Sequence, residues 1–298
     1  MTVPKMRTVS RGGSRYYIHP ETKEKAVGVT SVINMLPKDF LKWWAAKMVA
    51  EEAVNNFGAL ASLVTSDGSE AAVDWLKRAH LRNTGEAAVK GTEVHQMVED
   101  INELGGIPKR MSKALVPYAR GWLAFMEATG CTIHEQETTV WSSSHGYSGT
   151  LDLSLTIPEE TWVDGAPSWW EGSEIPILGD VKTTRSGVHA EVALQLAAYR
   201  SAEEKMVQDA EGVFHAKPWH QHQLTGLVVH LRPDSWQLVP VDIGADVFDV
   251  FVHLMSVFAW DKDIKAEVLY PALVSEEWTE VEVIELEKIL AKLGGKNK

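Results

Sequence analysis

Five polar side chains near the middle of the chain have types and spacings that suit hydrolytic chemistry. Asp152 ends the run GTLD, Asp180 and Lys182 stand in GDVKTT, and Gln195 and Tyr199 stand in QLAAY. The first two runs read as strands and the third as a helix. Side chains two apart on a strand share a face, as do residues four apart on a helix. Asp180 therefore points the same way as Lys182, and Gln195 the same way as Tyr199. If the two strands are neighbours, Asp152 sits roughly 5 Å from Asp180. Two carboxylates about 4 Å apart repel by roughly 4 kcal/mol at an effective dielectric of about 20. A divalent cation between them removes that cost. The pattern points to a metal-dependent hydrolase.

The surrounding chain reads as support for this stretch. Arg15 to Val29 forms a hairpin around the turn PETKE, and a short apolar segment from Ser31 to Leu36 stops at Pro37. Asp39 is placed to cap a helix through FLKWWAAKMVAEEAV. A second helix starts at Ser69 and closes near Gly85. A third, from about Glu86 to Leu104, carries His95 and ends at Gly105–Gly106, and a fourth, from about Ser112 to Thr129, closes at Gly130. CTIHEQETTVW, GTLDLSLTI and IPILGDVKTT are the three central strands, with a long polar loop (158–174) before the third. A helix from about Val188 to Asp209 follows. Two more strands (224–231 and 236–241), a helix to about Trp260 and a charged tail with a short terminal helix complete the chain.

Composition narrows the class. The chain has 298 residues, 45% of them hydrophobic, which suits a globular protein. The single cysteine, Cys131, excludes an intramolecular disulfide and a four-cysteine zinc or iron–sulfur site. The basic N-terminus is followed by no apolar run, so no signal peptide is expected. The most apolar stretch, Val247 to Trp260, is too short to span a bilayer. A cytoplasmic protein with no membrane partner is expected. Net charge is -12, but residues 1–120 hold 17 Lys and Arg against 13 Asp and Glu, while residues 121–298 hold 12 against 28. A polyanionic partner would be gripped by the N-terminal part. Arg7, Arg11, Arg15, Lys38 and Lys42 there, with Arg185 beside the lysine strand, are candidates for contacts to a nucleic-acid backbone.

The ordered set GTEVH (91–95), Glu137 in the first central strand, GTLD (149–152), GDVK (179–182) and QLAAY (195–199) resembles the PD-(D/E)XK nuclease superfamily. More closely, it resembles the RecB-like branch that includes phage-type exonucleases. The likeness covers residues 91–199, and the run VTSVINML with the later LKWWAAK extends it outward. It implies a restriction-endonuclease-like α/β core, a central mixed sheet flanked by helices, with a helical N-terminal region. Residues 1–130 would be the basic, mainly helical part, 131–260 the catalytic core and 261–298 a charged tail, all in one nuclease domain.

The resemblance also implies roles. Asp152, Asp180 and the backbone carbonyl of Val181 hold the metal, with His95 as a further ligand; the residues themselves leave Glu137 open between a metal or water ligand and an exposed strand-end side chain. Lys182 orients or deprotonates the attacking water, or holds the phosphate. Gln195 and Tyr199 position the lysine and the DNA backbone. One or two Mg²⁺ or Mn²⁺ ions suit such oxygen ligands and this reaction. With one cysteine, no iron–sulfur cluster is expected. The implied activity is metal-dependent exonucleolytic hydrolysis of DNA in phage-type recombination, repair or replication. A single-strand annealing or other recombination protein is a candidate partner, and the host cytoplasm is the setting if the chain is phage-encoded.

Rival readings stand beside these. A structure-specific or nicking endonuclease would carry the same motifs, and a catalytically silent nucleic-acid-binding module would need no intact Asp152, Asp180 and Lys182. Glu99 shares a helix face with His95, although a solvated glutamate is the simpler expectation. Of the adjacent Trp43 and Trp44, one is expected in a core and one half-exposed, unless one stacks on a base. Trp162, Trp169 and Trp170 either contact DNA ends or pack down their loop. No cysteine or acidic ligand is read as accompanying His215, His220, His222 and His230, so no second metal site is expected there.

Overall fold

The computed structural model describes residues 6–38, 40–158, 177–220, 225–269 and 280–294. The expected cap at Asp39, the three tryptophans at 162, 169 and 170, and His222 lie outside them. The chain divides into two units, Met1–Phe258 and Ala259–Lys298. The second holds a π-helical turn over Trp260–Ile264 and a helix over Glu280–Gly294.

The first unit is α/β, with a ten-stranded mixed sheet flanked by helices. β1 (Thr8–Arg11), β2 (Ser14–Ile18) and β3 (Lys25–Gly28) form an antiparallel meander. The sequence pattern anticipates only its second hairpin. After α1 (Val29–Ile33) come α2 (Phe40–Asn55), α3 (Phe57–Asp67), α4 (Ser69–Lys77), α5 (Ala79–Leu104) and α6 (Val116–Thr129). The break expected at Gly85 is absent, and α5 runs through it from Ala79. One glycine costs a helix only about 1 kcal/mol, which the packing of a long helix outweighs. α5 ends at Gly105, whose φ of 64° is the left-handed cap that glycine accepts without strain.

β4 (Thr132–Ser142), β5 (Tyr147–Thr156), β6 (Ile177–Lys182), β9 (Thr225–Leu231) and β10 (Trp236–Asp242) lie close to their predicted positions. The helix expected over 188–209 is shorter. α7 spans Glu191–Arg200, and the chain then makes the hairpin β7 (Glu204–Gln208) and β8 (Phe214–Pro218) against β4. α8 (Ala245–Ala259) follows β10.

β9 shows how the sheet divides the core. Val228 packs on one face with α1, α7 and α8, while Leu227, Val229 and Leu231 pack on the other with α5 and α6. From α5, Val94, Met97, Val98 and Ile101 supply a stripe at helical spacing, and from α6 come Trp122 and Phe125. The arm formed by α2, α3 and α4 is different. α3 buries no side chain, and Trp43 on α2 is 81% exposed with Trp44 half-buried, so neither tryptophan enters a core.

β5 organises the sheet. β4 pairs with it along its whole length, so β3 and β6 must share its other edge. β3 takes Tyr147 and Ser148 in parallel, and β6 takes Leu153 to Leu155 antiparallel. Between them, from Gly149 to Asp152, no ladder runs along that edge among the described residues. A cleft opens at this gap. Among the described residues, no helix is long and apolar enough to cross a membrane.

Candidate metal centre

The two aspartates meet as their strands predict. Leu153 pairs with Gly179 and Ser154 with Leu178, a register that sets Asp152 opposite Asp180 where the ladder ends. The Val181 amide donates to Asp152 Oδ2 at 2.8 Å, which orients that carboxylate. The N–H and C=O of one strand residue project to the same edge, so the Val181 carbonyl faces β5 as well.

Glu137 arrives from the other side of β5. Gln136 pairs with Leu153 and Thr138 with Leu151, so Glu137 stands opposite Asp152. The ladder slips by one residue at Ile133/Glu135, and Glu137 itself adopts a φ of 49°. A left-handed backbone is unfavourable for a non-glycine residue, costing on the order of 1 kcal/mol or more, and such strain gathers at functional sites. His95 comes from α5. Its Nδ1 lies 3.6 Å from Asp152 Oδ2 and 3.7 Å from Glu137 Oε1. His95, Glu137 and Asp152 each offer a ligand atom within 4.8 Å of the others. Glu137 Oε2 is buried with no hydrogen-bond partner among the described residues. A buried, unpaired carboxylate oxygen beside a second carboxylate is costly unless a cation joins them. The donor set therefore fits a divalent ion.

Asp180 is held differently. It is 1% exposed, with Lys182 Nζ 2.5 Å from Oδ2 and Gln195 Nε2 donating to Oδ1 at 3.0 Å. Gln195 also donates to the Tyr199 hydroxyl at 3.2 Å. The metal grouping expected from the resemblance contains Asp152 and Asp180. In the structure the three-residue grouping is His95, Glu137 and Asp152, while Asp180 engages Lys182 and Gln195. A lysine two residues along a strand reaches the same face and supplies the neutralising charge locally.

Electrostatics separate the groups further. Burial pushes the Asp180 carboxyl up to about 6, with Lys182 opposing and Asp152 reinforcing the shift. Burial lowers the Lys182 ammonium, but Asp180 and Asp152 more than offset it, and the net shift is upward. Burial likewise lowers His95, and the charges of Asp152, Glu137 and Asp180 reverse this and raise it above its usual 6.5. Tyr199 is raised well above its ordinary range by burial first and by nearby negative charge, so it remains a neutral phenol.

Gly149 is a steric requirement. A Cβ built on it would lie 2.4 Å from Tyr199 Cε1, so the ring occupies the space that any side chain would need. Gly91 has no such role, since a Cβ there would meet only Thr183 Oγ1 at 3.8 Å.

The cleft has a volume of ≈ 500 Å³ and is lined by His95, Asp152, Asp180, Lys182, Gln195 and Tyr199. Arg15 and Lys38, predicted on charge alone, also line it; Lys42 and Arg185 are exposed and outside its lining. Arg7 and Arg11 are exposed on and beside β1. Tyr17, Thr150, Thr183 and His189 are lining residues that the sequence reading passed over. The position of Thr150 inside GTLD was the available signal for one of them. Glu99 is 6% exposed, which overturns the expectation of a solvated side chain. It lies under the centre beside His95 and Glu137 and accepts from Gln96 Nε2 at 3.2 Å.

His215 does have acidic neighbours in space, Asp209 at 2.7 Å and Glu21 at 3.7 Å, contrary to the linear reading. These approach opposite ring nitrogens, so they do not converge on one ion. No family model and no curated protein sequence matches the chain.

Proposed function

We propose that the protein is a divalent-metal-dependent deoxyribonuclease with a PD-(D/E)XK-type core. The observation that carries this reading is the convergence on one cleft of His95, Glu137 and Asp152 with the Asp180–Lys182 pair. A Mg²⁺ or Mn²⁺ ion held by His95, Glu137 and Asp152 would supply Lewis acidity and a water of lowered pKa. The side chains supply the rest. Lys182 is charged at neutral pH, which favours holding the phosphate and orienting water over abstracting a proton. Gln195 fixes Asp180, and through it the lysine. Arg15 and Lys38 offer positive charge to the phosphates at the cleft.

Action from DNA ends, in recombination or repair and in the cytoplasm, follows from the sequence resemblance. The test uses purified full-length chain on linear DNA labelled separately at its 5′ and 3′ ends, with a closed circular control. Linear DNA should be degraded with Mg²⁺ or Mn²⁺ and left intact with chelator. Cleavage of the closed circle would identify an endonuclease, metal-independent cleavage would end the metal-dependent reading, and absent cleavage would end the nuclease reading.

A further inference from the structure

The segment after Lys182 is held from beneath by the neighbouring strand. β9 runs parallel to β6, and its register sets His230 beside Lys182. His230 is 4% exposed. Its Nε2 lies 2.8 Å from the Thr184 carbonyl oxygen, and Arg232 Nη1 donates to the same oxygen at 2.9 Å. A carbonyl only accepts, so His230 carries its proton on Nε2. Its Nδ1 is buried without a hydrogen-bond partner among the described residues. A buried imidazole with one nitrogen unsatisfied is a poor choice for packing alone, because an apolar ring would avoid that cost.

Two donors on one carbonyl is an unusual investment in a loop. Thr184 Oγ1 also closes the loop onto the Gly187 carbonyl at 2.5 Å, and Thr183 and Thr184 form cleft wall next to Lys182. We propose that His230 and Arg232 are positioning residues for the active cleft. They pin the Thr184 carbonyl, and so hold the turn Thr183–Gly187 and the aim of Lys182. Neither side chain lines the cleft, so neither would touch substrate. A misplacement of about 1 Å costs on the order of 100-fold in rate, which makes such a pin worthwhile. This inference rests on the nuclease reading for its kinetic consequence but not for its mechanical one.

The experiment uses the full chain with His230→Phe, His230→Gln and Arg232→Ala. Phenylalanine keeps the ring packing and removes the donor; glutamine restores a donor. Amide hydrogen exchange across residues 183–187 should rise in His230→Phe and Arg232→Ala, and return toward the wild-type rate in His230→Gln. On DNA, His230→Phe should lower kcat by about 10- to 100-fold, the range expected for groups that orient a metal site's side chains. KM and Mn²⁺ affinity should change by less than about twofold. Unchanged exchange in both donor-removing variants overturns the pin, as does wild-type kcat in both. If His230→Phe does not fold, Arg232→Ala decides alone. A wild-type protein that cleaves no DNA defeats the nuclease reading, while raised exchange in the variants would still establish the pin.

Discussion

The two ends of the cleft neutralise their carboxylates in opposite ways. At one end, Asp180 is paired by Lys182 and capped by Gln195, all within sixteen residues of sequence. At the other, Glu137 and Asp152 face His95, and Asp152 also accepts from the Val181 amide, on a backbone strained at Glu137 and with Glu137 Oε2 buried and unpartnered among the described residues. The first arrangement sets a lysine charge against its buried carboxylate. The second has excess negative charge that an added cation would balance. The difference separates an end that neutralises its own carboxylate from an end whose donor set could take a cation.

The largest effects should come from exchanging the two roles. Asp152→Ala should abolish Mn²⁺ binding by calorimetry and reduce DNA hydrolysis by more than about 100-fold, since loss of a mere supporting group already costs 10- to 100-fold. Lys182→Ala should reduce turnover comparably while leaving Mn²⁺ affinity intact. Equal losses of metal affinity in both variants would erase the distinction between the ends.

Glu137→Gln should have a smaller and two-signed effect. Removing one of two close negative charges should raise the metal-free melting temperature, by about 1 kcal/mol in stability. The same change should weaken Mn²⁺ binding by about tenfold. A variant less stable than wild type without metal would show that Glu137 is already satisfied.

Gly149→Ala probes the packing of Tyr199 against β5. Its Cβ would overlap the Tyr199 ring, and overpacking of this kind costs about 1–3 kcal/mol. Denaturant titration should show that loss, and Gly149→Ala combined with Tyr199→Leu should recover part of it. Full stability in the single variant would mean that the ring moves freely.

The smallest effect is in pH dependence. Asp180 and His95 both have folded-state pKa values raised above their ordinary ones. Each therefore contributes stability that is fully present at low pH and lost as pH rises through the folded value. For Asp180 that window runs from 3.8 to about 6, and for His95 it begins above 6.5. Their contribution to metal-free stability should decline with rising pH in these windows. Mn²⁺ affinity should instead rise with pH, because His95 must shed its proton to ligate. Melting curves with and without Mn²⁺ on either side of neutrality read both slopes, and parallel slopes would exclude His95 as a ligand.

How much of this was legible in the sequence differs by element. The strands carrying Asp152, Asp180 and Lys182 were visible because apolar residues flank them and glycines precede the aspartates. The Gln195–Tyr199 face followed from helical spacing alone. The ends of α7 were not legible, because a helical pattern continuing past Arg200 gives no sign that β7 is wanted as a partner for β4. The continuity of α5 through Gly85 was likewise set by packing rather than propensity. Glu99 looked solvated because a glutamate on a helix usually is, and only the sheet beneath α5 covers it.

Local chemistry in the chain determined the Asp180–Lys182 end. Asp180 and Lys182 stand two apart on one strand, and Gln195 and Tyr199 four apart on one helix, so short-range geometry already aligns each pair. The His95–Glu137–Asp152 end was decided by tertiary structure. His95, Glu137 and Asp152 lie on three elements, and their meeting depends on how α5 crosses the sheet. It also depends on where β4 slips in register and on the gap that β3 and β6 leave along one edge of β5. Those are long-range choices, in which the burial of two separate apolar faces outweighs the strain and repulsion gathered at one carboxylate.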